Sequence, residues 1–143
     1  MPSMMVRKAS REDSGSLVEL ADELVRLDDW SGREAMLEES LDDPGCQIYV
    51  AEADGKLAGF IELRVFPDFV EGQPIAIILN LIVAEAHRRL GVGSELMQRA
   101  IEDAERRNTV ETHVWTDLDN QRAIDFYAKH GFGNRQLLLE REM

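Results

Sequence analysis

Apolar residues recur along the chain with two spacings, and each spacing predicts one kind of element. A spacing of three or four residues is typical of an amphipathic helix, and it occurs in residues 17–25, 32–41, 92–107 and 120–130. Short alternating or continuous apolar stretches are typical of strands, and they occur in residues 4–9, 47–53, 56–66, 75–83, 110–116 and 136–142. The predicted order is β-α-α-β-β-β-α-β-α-β, an α/β arrangement with helices around one mixed sheet.

Short local signals predict several boundaries of these elements. Ser10 and Asp13 have the spacing of a capping box, which predicts the start of the first helix. Asp54-Gly55 is a two-residue hairpin signal between the second and third strands. Residues 67–74, which begin and end with proline, are predicted as a loop. Residues 75–83 are too continuously apolar for a half-exposed strand, so we expect this strand to be central and buried on both faces.

The composition is that of a soluble globular protein, with 44% hydrophobic and 31% charged residues. A length of 143 residues predicts one domain over residues 1–143. Cys46 is the only cysteine and the three histidines are scattered, so we expect neither a disulfide framework nor a metal site. The longest apolar run is far shorter than the ~20 residues of a membrane span, and the first residues contain no apolar signal core. These features predict a cytoplasmic protein without a membrane partner.

The charge is strongly acidic and unevenly distributed. Sixteen basic residues stand against twenty-eight acidic ones, for a net charge of −12, which opposes binding to nucleic acid. Residues 11–43 contain twelve acidic residues and three arginines, a net charge of −9. Solvated helix faces are the plainer interpretation of this cluster, and a surface that attracts a cationic substrate is the alternative.

A turn rich in glycine and arginine follows the fourth predicted strand. Residues 87–94 are HRRLGVGS, and a helix is predicted to begin within them. Glycines let successive backbone N–H groups converge, and a helix N-terminus adds partial positive charge, so this turn suits a pyrophosphate. Leu96 stands where a dinucleotide fingerprint needs Gly or Ala, and the Gly-Lys-Ser/Thr sequence of a P-loop is absent. The alternative is a glycine-rich turn without a ligand.

A second motif occupies residues 120–132, NQRAIDFYAKHGF. By itself it predicts a helix with one packed face and a glycine C-cap. The two motifs in this order, RxxGxG ahead of a helix and a strand, then Asn and Ala ahead of FYxxxGF, resemble the GCN5-related N-acetyltransferase (GNAT) superfamily. The matching stretches are residues 79–107 and 114–132, about a third of the chain.

The resemblance implies a GNAT fold, in which a mixed central sheet splays at the acetyl-CoA site and about four helices flank it. It also implies acetyl-CoA as the donor cosubstrate, with its pyrophosphate on the turn and its pantetheine arm along an exposed strand edge. Asn120 matches the residue that contacts the CoA arm, and Tyr127 matches the general acid that protonates the departing thiolate. The implied cofactor-binding residues are Leu81, Ile82, Val83, Arg88, Arg89, Leu90, Gly91, Val92, Gly93, Ser94 and Asn120.

The general base is where the sequence departs from the common patterns of the family. Leu79 stands where many members have a glutamate, and Trp115 stands where ribosomal-protein N-terminal acetyltransferases have one. Other acidic residues lie just after the strand ends, where a solvated loop position is the alternative: Glu85, Asp117 and Asp119. We retain Asp117 as the candidate base, with Asn80 able to orient a water.

Together these features predict an enzyme that transfers an acetyl group directly from acetyl-CoA to an amine. The acidic N-terminal half favours a small cationic amine, such as a polyamine or an aminoglycoside, over an acidic or phosphorylated acceptor. One alternative is acetylation of protein N-termini or lysines. Another is a non-catalytic acyl-CoA-binding sensor, which the residues at Leu79 and Trp115 permit. Members of this family often dimerise, so the resemblance also allows a homodimer.

Overall fold

The computed structural model describes residues 4–143. Within that range the strands are β1 (Met4–Lys8), β2 (Cys46–Ala53), β3 (Lys56–Asp68), β4 (Gln73–Val83) and β5 (Thr112–Val114). The α-helices are α1 (Ser14–Leu24), α2 (Ser31–Asp42), α3 (Val92–Arg106) and α4 (Gln121–Lys129). Short 3-10 turns at Arg11–Asp13 and Glu85–His87 precede α1 and α3. No helix in this part of the chain is both long enough and apolar enough to span a membrane.

The five strands form one mixed sheet in the order β1-β2-β3-β4-β5. The first four are antiparallel neighbours, and β5 lies parallel to β4. One face packs against α3, where Leu96 and Met97 are fully buried against β2 and β3, and the other face packs against α1 through Leu17 and Leu20. The predicted mixed α/β sheet with flanking helices is therefore confirmed, and the core lies in two layers on either side of the sheet.

A bulge interrupts the pairing of β3 with β4. Glu62 pairs with Asn80 and Leu63 pairs with Ile78, so Leu79 is an extra residue on β4. A bulge reverses the faces that alternate residues occupy. Before it Ile78 faces α3, whereas after it Asn80 faces α1 and α2 and lines a cavity there.

The sheet opens beside this bulge. β5 pairs with β4 only along Ala76, Ile77 and Ile78. From Asn80 to Val83, β4 continues its pairing with β3, and no pairing to β5 is recorded within residues 4–143. The edge of β4 from Leu81 to Val83 is thus the place where the predicted splay occurs.

Three predicted segments differ from the structure. Residues 75–83 are not buried on both faces throughout, since Leu79 is 40% exposed. Half of residues 67–74 are paired, since Pro67 pairs with Pro74 and Asp68 with Gln73, which leaves residues 69–72 as the loop. Residues 136–142 form no strand and are exposed, so the predicted closing strand is wrong. A strand depends on a hydrogen-bonded neighbour, and local apolar pattern alone does not provide one.

A buried polar contact joins β2 to α3. The Tyr49 hydroxyl donates to Oδ2 of Asp103 at 2.5 Å, and Arg107 Nε donates to Oδ1 at 2.7 Å. Burial alone would raise the pKa of Asp103, but these hydrogen bonds and the nearby arginines hold that pKa below its usual value. The carboxylate is therefore ionised at neutral pH, and its stabilising contribution is lost only as the pH falls through the lowered pKa.

We expect Tyr49→Phe to lower the free energy of unfolding by about 1.5–3 kcal/mol, because it removes a hydrogen bond to a buried charged group. Urea denaturation monitored by circular dichroism measures this loss. Tyr127→Phe is the matched control, because the Tyr127 ring is only half-buried and packs against its neighbours through carbon atoms. Equal losses for the two variants would contradict the assignment of this energy to the Asp103 contact.

Candidate active site

The glycine turn connects the open edge of β4 to the start of α3. Gly91 is the N-cap of α3 with φ 81°, and Arg89 has φ 68°. No side chain of residues 4–143 caps this helix end. Arg88 lies back along the turn, where its Nε donates to the carbonyl oxygen of Val83 at 3.3 Å. The first N–H groups of α3 are therefore available to an anion, as the sequence predicts.

Gly91 and Gly93 of this turn have different surroundings. A Cβ on Gly91 would meet nothing within 4 Å, so this position opens toward solvent and toward a ligand. A Cβ on Gly93 would lie 3.4 Å from Cζ of Phe126 and 3.6 Å from Cγ2 of Val83. A Cβ at Gly93 would thus make ordinary contacts, whereas a side chain longer than alanine would meet Phe126, a neighbour that sequence reasoning did not identify. The space beside Gly91 is open, so the pyrophosphate position at this turn stays a prediction.

α4 presents the second motif. Asn120 is its N-cap, and its Oδ1 accepts a hydrogen bond from Ala123 N at 3.1 Å. Tyr127 packs edge-to-face on Phe126 and Phe132, with ring centroids 5.5 and 6.0 Å apart. Burial raises the pKa of the Tyr127 phenol above its usual value, so the hydroxyl carries its proton at physiological pH.

A cavity of about 520 Å³ lies between α1, α2 and the sheet. It is on the face of the sheet opposite α3, and the bulge residues Leu79 and Asn80 form part of its wall. Most of its lining is apolar, with the charged and polar groups gathered near β3 and the end of α2. The polar lining residues are Arg33, Glu39, Ser40, Asp43, Glu62, Arg64 and Asn80.

Glu62 is the buried carboxylate of this cavity. Its Oε1 accepts from Asn80 Nδ2 at 2.8 Å, and its Oε2 accepts from Arg64 Nε and Nη2 at 2.8 and 2.6 Å. Sequence reasoning overlooked Glu62, although one acidic residue inside the apolar stretch 57–63 was a usable signal. Asn80 donates through Nδ2 to Glu62, and its predicted role in orienting a water stays a prediction.

The predicted base candidates lie elsewhere. Asp117 and Asp119 are exposed in the segment between β5 and α4, and neither belongs to the cavity lining. Glu85 is exposed in the 3-10 turn before the glycine turn. Leu79, at the position of the family's glutamate, is in the cavity wall. The role of Asp117 as base therefore stays a prediction.

The chain is similar in sequence to known proteins. Residues 15–132 match the model of the Acetyltransferase (GNAT) family. An uncharacterised N-acetyltransferase of Methanocaldococcus jannaschii is 30% identical over 92 residues, which are 64% of this chain and 41% of that protein. The aminoalkylphosphonate N-acetyltransferase of Salmonella typhimurium is 28% identical over 134 residues, 92% of this chain and 86% of that protein.

A solved structure shows the same fold. The putative acetyltransferase from Agrobacterium tumefaciens superimposes with a TM-score of 0.88 at 28% identity, over 96% of this chain and 99% of that one. The chain spans only 41% to 64% of the length of three curated relatives that it matches. The similarity to that solved structure covers 96% of this chain. The matches to these three curated relatives cover only part of those proteins.

Proposed function

The chain belongs to the GNAT family of acetyltransferases, and on this premise we propose that it is an acetyl-CoA-dependent N-acetyltransferase that acetylates an amine directly. One observation carries the proposal. The open edge of β4 and the uncapped N-terminus of α3 meet where Val83 and Phe126 lie beside Gly93, and Tyr127 is the next residue after Phe126 on α4. Acetyl-CoA, when bound, supplies a thioester whose carbonyl carbon accepts the amine.

The chain's own groups divide the work of binding. Backbone N–H groups from Arg88 to Ser94 would hold the pyrophosphate, with Arg88 and Arg89 adding positive charge. The edge of β4 at Leu81, Ile82 and Val83 would pair with the pantetheine arm as an added strand pairs with a sheet. An N–H group of that edge would also stabilise the negative charge that develops on the carbonyl oxygen. Asn120 would contact the arm from the N-terminus of α4.

Proton transfer needs one donor and one acceptor. Tyr127 would donate to the departing thiolate, since its raised pKa keeps the phenol protonated. Removing a proton from an alkyl amine of pKa ~10.4 costs roughly 4.6 kcal/mol at pH 7. Asp117 is the acceptor that the sequence predicts, and Glu62 is the buried carboxylate that lies in the cavity wall.

The acidic N-terminal half supports a cationic acceptor, the class that includes polyamines and aminoglycosides. Several of its acidic groups are engaged locally, since Asp22 is paired with Arg33, and Glu38 with Arg11. Glu39 is exposed and lines the cavity, so its charge acts directly at the cavity mouth.

The proposal is tested by incubating the full chain with acetyl-CoA and a panel of amines while following the release of free thiol. We expect turnover with cationic amines, and we expect kcat/KM to fall as salt rises because exposed charges are screened beyond ~8 Å. Glu39→Gln should weaken this salt dependence, whereas Glu38→Gln, the neighbouring change outside the cavity, should preserve it.

The outcomes separate the proposal from its alternatives. A rise in melting temperature with acetyl-CoA and no thiol release from any amine would identify a non-catalytic acyl-CoA-binding module. Release only with peptides would identify an acetyltransferase of protein N-termini or lysines. The relative from Salmonella typhimurium is named as an aminoalkylphosphonate N-acetyltransferase, so that compound class belongs in the panel.

A further inference from the structure

Four exposed apolar side chains share the wall of the cavity. Leu24 and Val25 at the end of α1 are 63% and 55% exposed, Met36 on α2 is 59% exposed, and Leu79 at the bulge is 40% exposed. All four line the cavity. Contiguous exposed apolar surface around a concavity is typical of a binding site for an apolar group.

The helix α2 forms one wall of the cavity and packs only partly against the core. None of the twelve residues of α2 is buried, yet Met36 and Leu37 on this helix both line the cavity. Leu37 and Leu41 on α2 pack against the core with partial burial, whereas Met36 stays 59% exposed at the cavity. A ligand with apolar surface would bury Met36, and that burial is favourable through the hydrophobic effect.

Both cationic groups in the cavity wall already have partners. Arg64 donates to Glu62, and it also donates to Ser40 Oγ at 2.8 Å. Arg33 donates to Asp22 at 3.3 Å and to the carbonyl oxygen of Val25 at 2.5 Å. A phosphonate or carboxylate on the acceptor would have to displace these contacts, so the cavity is poorly suited to an anionic acceptor.

Glu62 can still accept one more hydrogen bond. A carboxylate has about four acceptor positions. The two Arg64 bonds reach Oε2, whereas Asn80 supplies the single bond to Oε1 described above. An ammonium group placed at Oε1 would donate to a carboxylate whose other oxygen is ion-paired with Arg64, at the polar end of a mostly apolar cavity.

We infer that this cavity selects primary amines that carry an apolar alkyl or aryl body, with the ammonium at Glu62 and the body against α1 and α2. The inference rests on the proposed function and narrows it. A sugar amine, whose surface is largely hydroxyl groups, would leave the apolar walls unmatched. Amines with an apolar body are expected to bind more tightly, by about fourfold in Kd for each methylene that the cavity buries.

Equilibrium binding to the full chain without acetyl-CoA tests the apolar part. We expect the Kd measured by titration calorimetry to fall from propylamine to hexylamine by at least tenfold. Met36→Ser should weaken hexylamine binding at least threefold. Met5→Ser is the matched control, because Met5 is 54% exposed on β1, away from the cavity, and it should change nothing. A Kd that does not change with the length of the amine's alkyl group would overturn the inference.

The ammonium contact is tested by comparing hexylamine with hexanol, which has the same body and no charge. Hexylamine should bind at least tenfold more tightly, and Glu62→Gln should remove most of that preference while hexanol affinity and the far-ultraviolet spectrum stay unchanged. The Met36 and chain-length measurements keep the inference testable if Glu62→Gln does not fold. Equal binding of hexylamine and hexanol by the unaltered chain would contradict the placement of the ammonium.

Thiol-release assays separate this inference from the proposed function. Higher kcat/KM for hexylamine than for glucosamine and 2-aminoethylphosphonate supports both. Chain-length-dependent binding without thiol release supports the cavity assignment and refutes the transferase. Thiol release with glucosamine or 2-aminoethylphosphonate at rates equal to those with hexylamine supports the transferase and overturns the selection of an apolar body.

Discussion

Replacing Tyr127 with phenylalanine should lower turnover about 100-fold while the affinity for acetyl-CoA barely changes. The ring contacts with Phe126 and Phe132 are made by carbon atoms, so the variant keeps the packing of α4 and loses only the hydroxyl. Without that proton donor the thiolate must leave unprotonated or take a proton from water. Because the loss affects a step after binding, it should appear in kcat and not in Kd.

Steady-state thiol release gives kcat for this comparison, and calorimetry with acetyl-CoA gives Kd. The pH dependence provides a second measurement. Burial raises the pKa of Tyr127, so the protonated donor persists to higher pH than in a free tyrosine, and the alkaline fall of kcat should lie above about pH 10. Tyr127→Phe should lack that fall. Unchanged turnover in the variant would leave Tyr127 with a packing role only.

Placing an aspartate at Gly91 should weaken acetyl-CoA binding by about 10-fold to 100-fold, since it puts a negative charge beside the proposed pyrophosphate position. The backbone there has φ 81°, a conformation that Asp and Asn tolerate better than other side chains, and the Cβ position is open. The charge therefore dominates over any steric effect.

Gly91→Asn is the matched control, because it has the same size and backbone preference without the charge. We expect its Kd to lie within about threefold of the unaltered protein, and we expect both variants to lose similar stability without ligand. Calorimetry and the acetyl-CoA-induced rise in melting temperature measure the two effects. If Asp and Asn weaken binding equally, the pyrophosphate does not lie at the start of α3. Gly93 is less suitable for this test, because a larger side chain there would press on Phe126.

The predictions that the structure confirms in detail depend on residues close together in the chain. Asp54-Gly55 forms the predicted hairpin turn with φ 52° and 79°. Ser10 N donates to Asp13 Oδ2 at 2.8 Å, as the capping box requires. The apolar stripe of α3 is buried, and Asn120 caps α4. Turn conformation, capping and helical periodicity depend on residues that are close in the chain, so they can be predicted from the local sequence.

The features that reasoning from sequence did not supply depend on contacts between distant residues. Glu62 faces Asn80 because of the register of β3 on β4, and the bulge at Leu79 directs Asn80 into the cavity. The last turn of α1 continues the helical pattern of its buried residues, yet Leu24 is 63% exposed and lines the cavity. Residues 136–142 have a strand-like pattern, but no neighbouring strand pairs with them in the described chain.

The sequence by itself determined the order of elements from β1 to α4, the turn at residues 87–94, the position of Tyr127 on a helix and the family to which these motifs belong. Only the tertiary structure decided which carboxylate is buried in the cavity wall, what lies beside Gly93 and what kind of surface an acceptor would meet. The reason is physical. Backbone propensities and caps are set by neighbours in the chain, whereas a cavity wall is set by strand register and helix placement, which bring together residues as far apart as Met36 and Leu79.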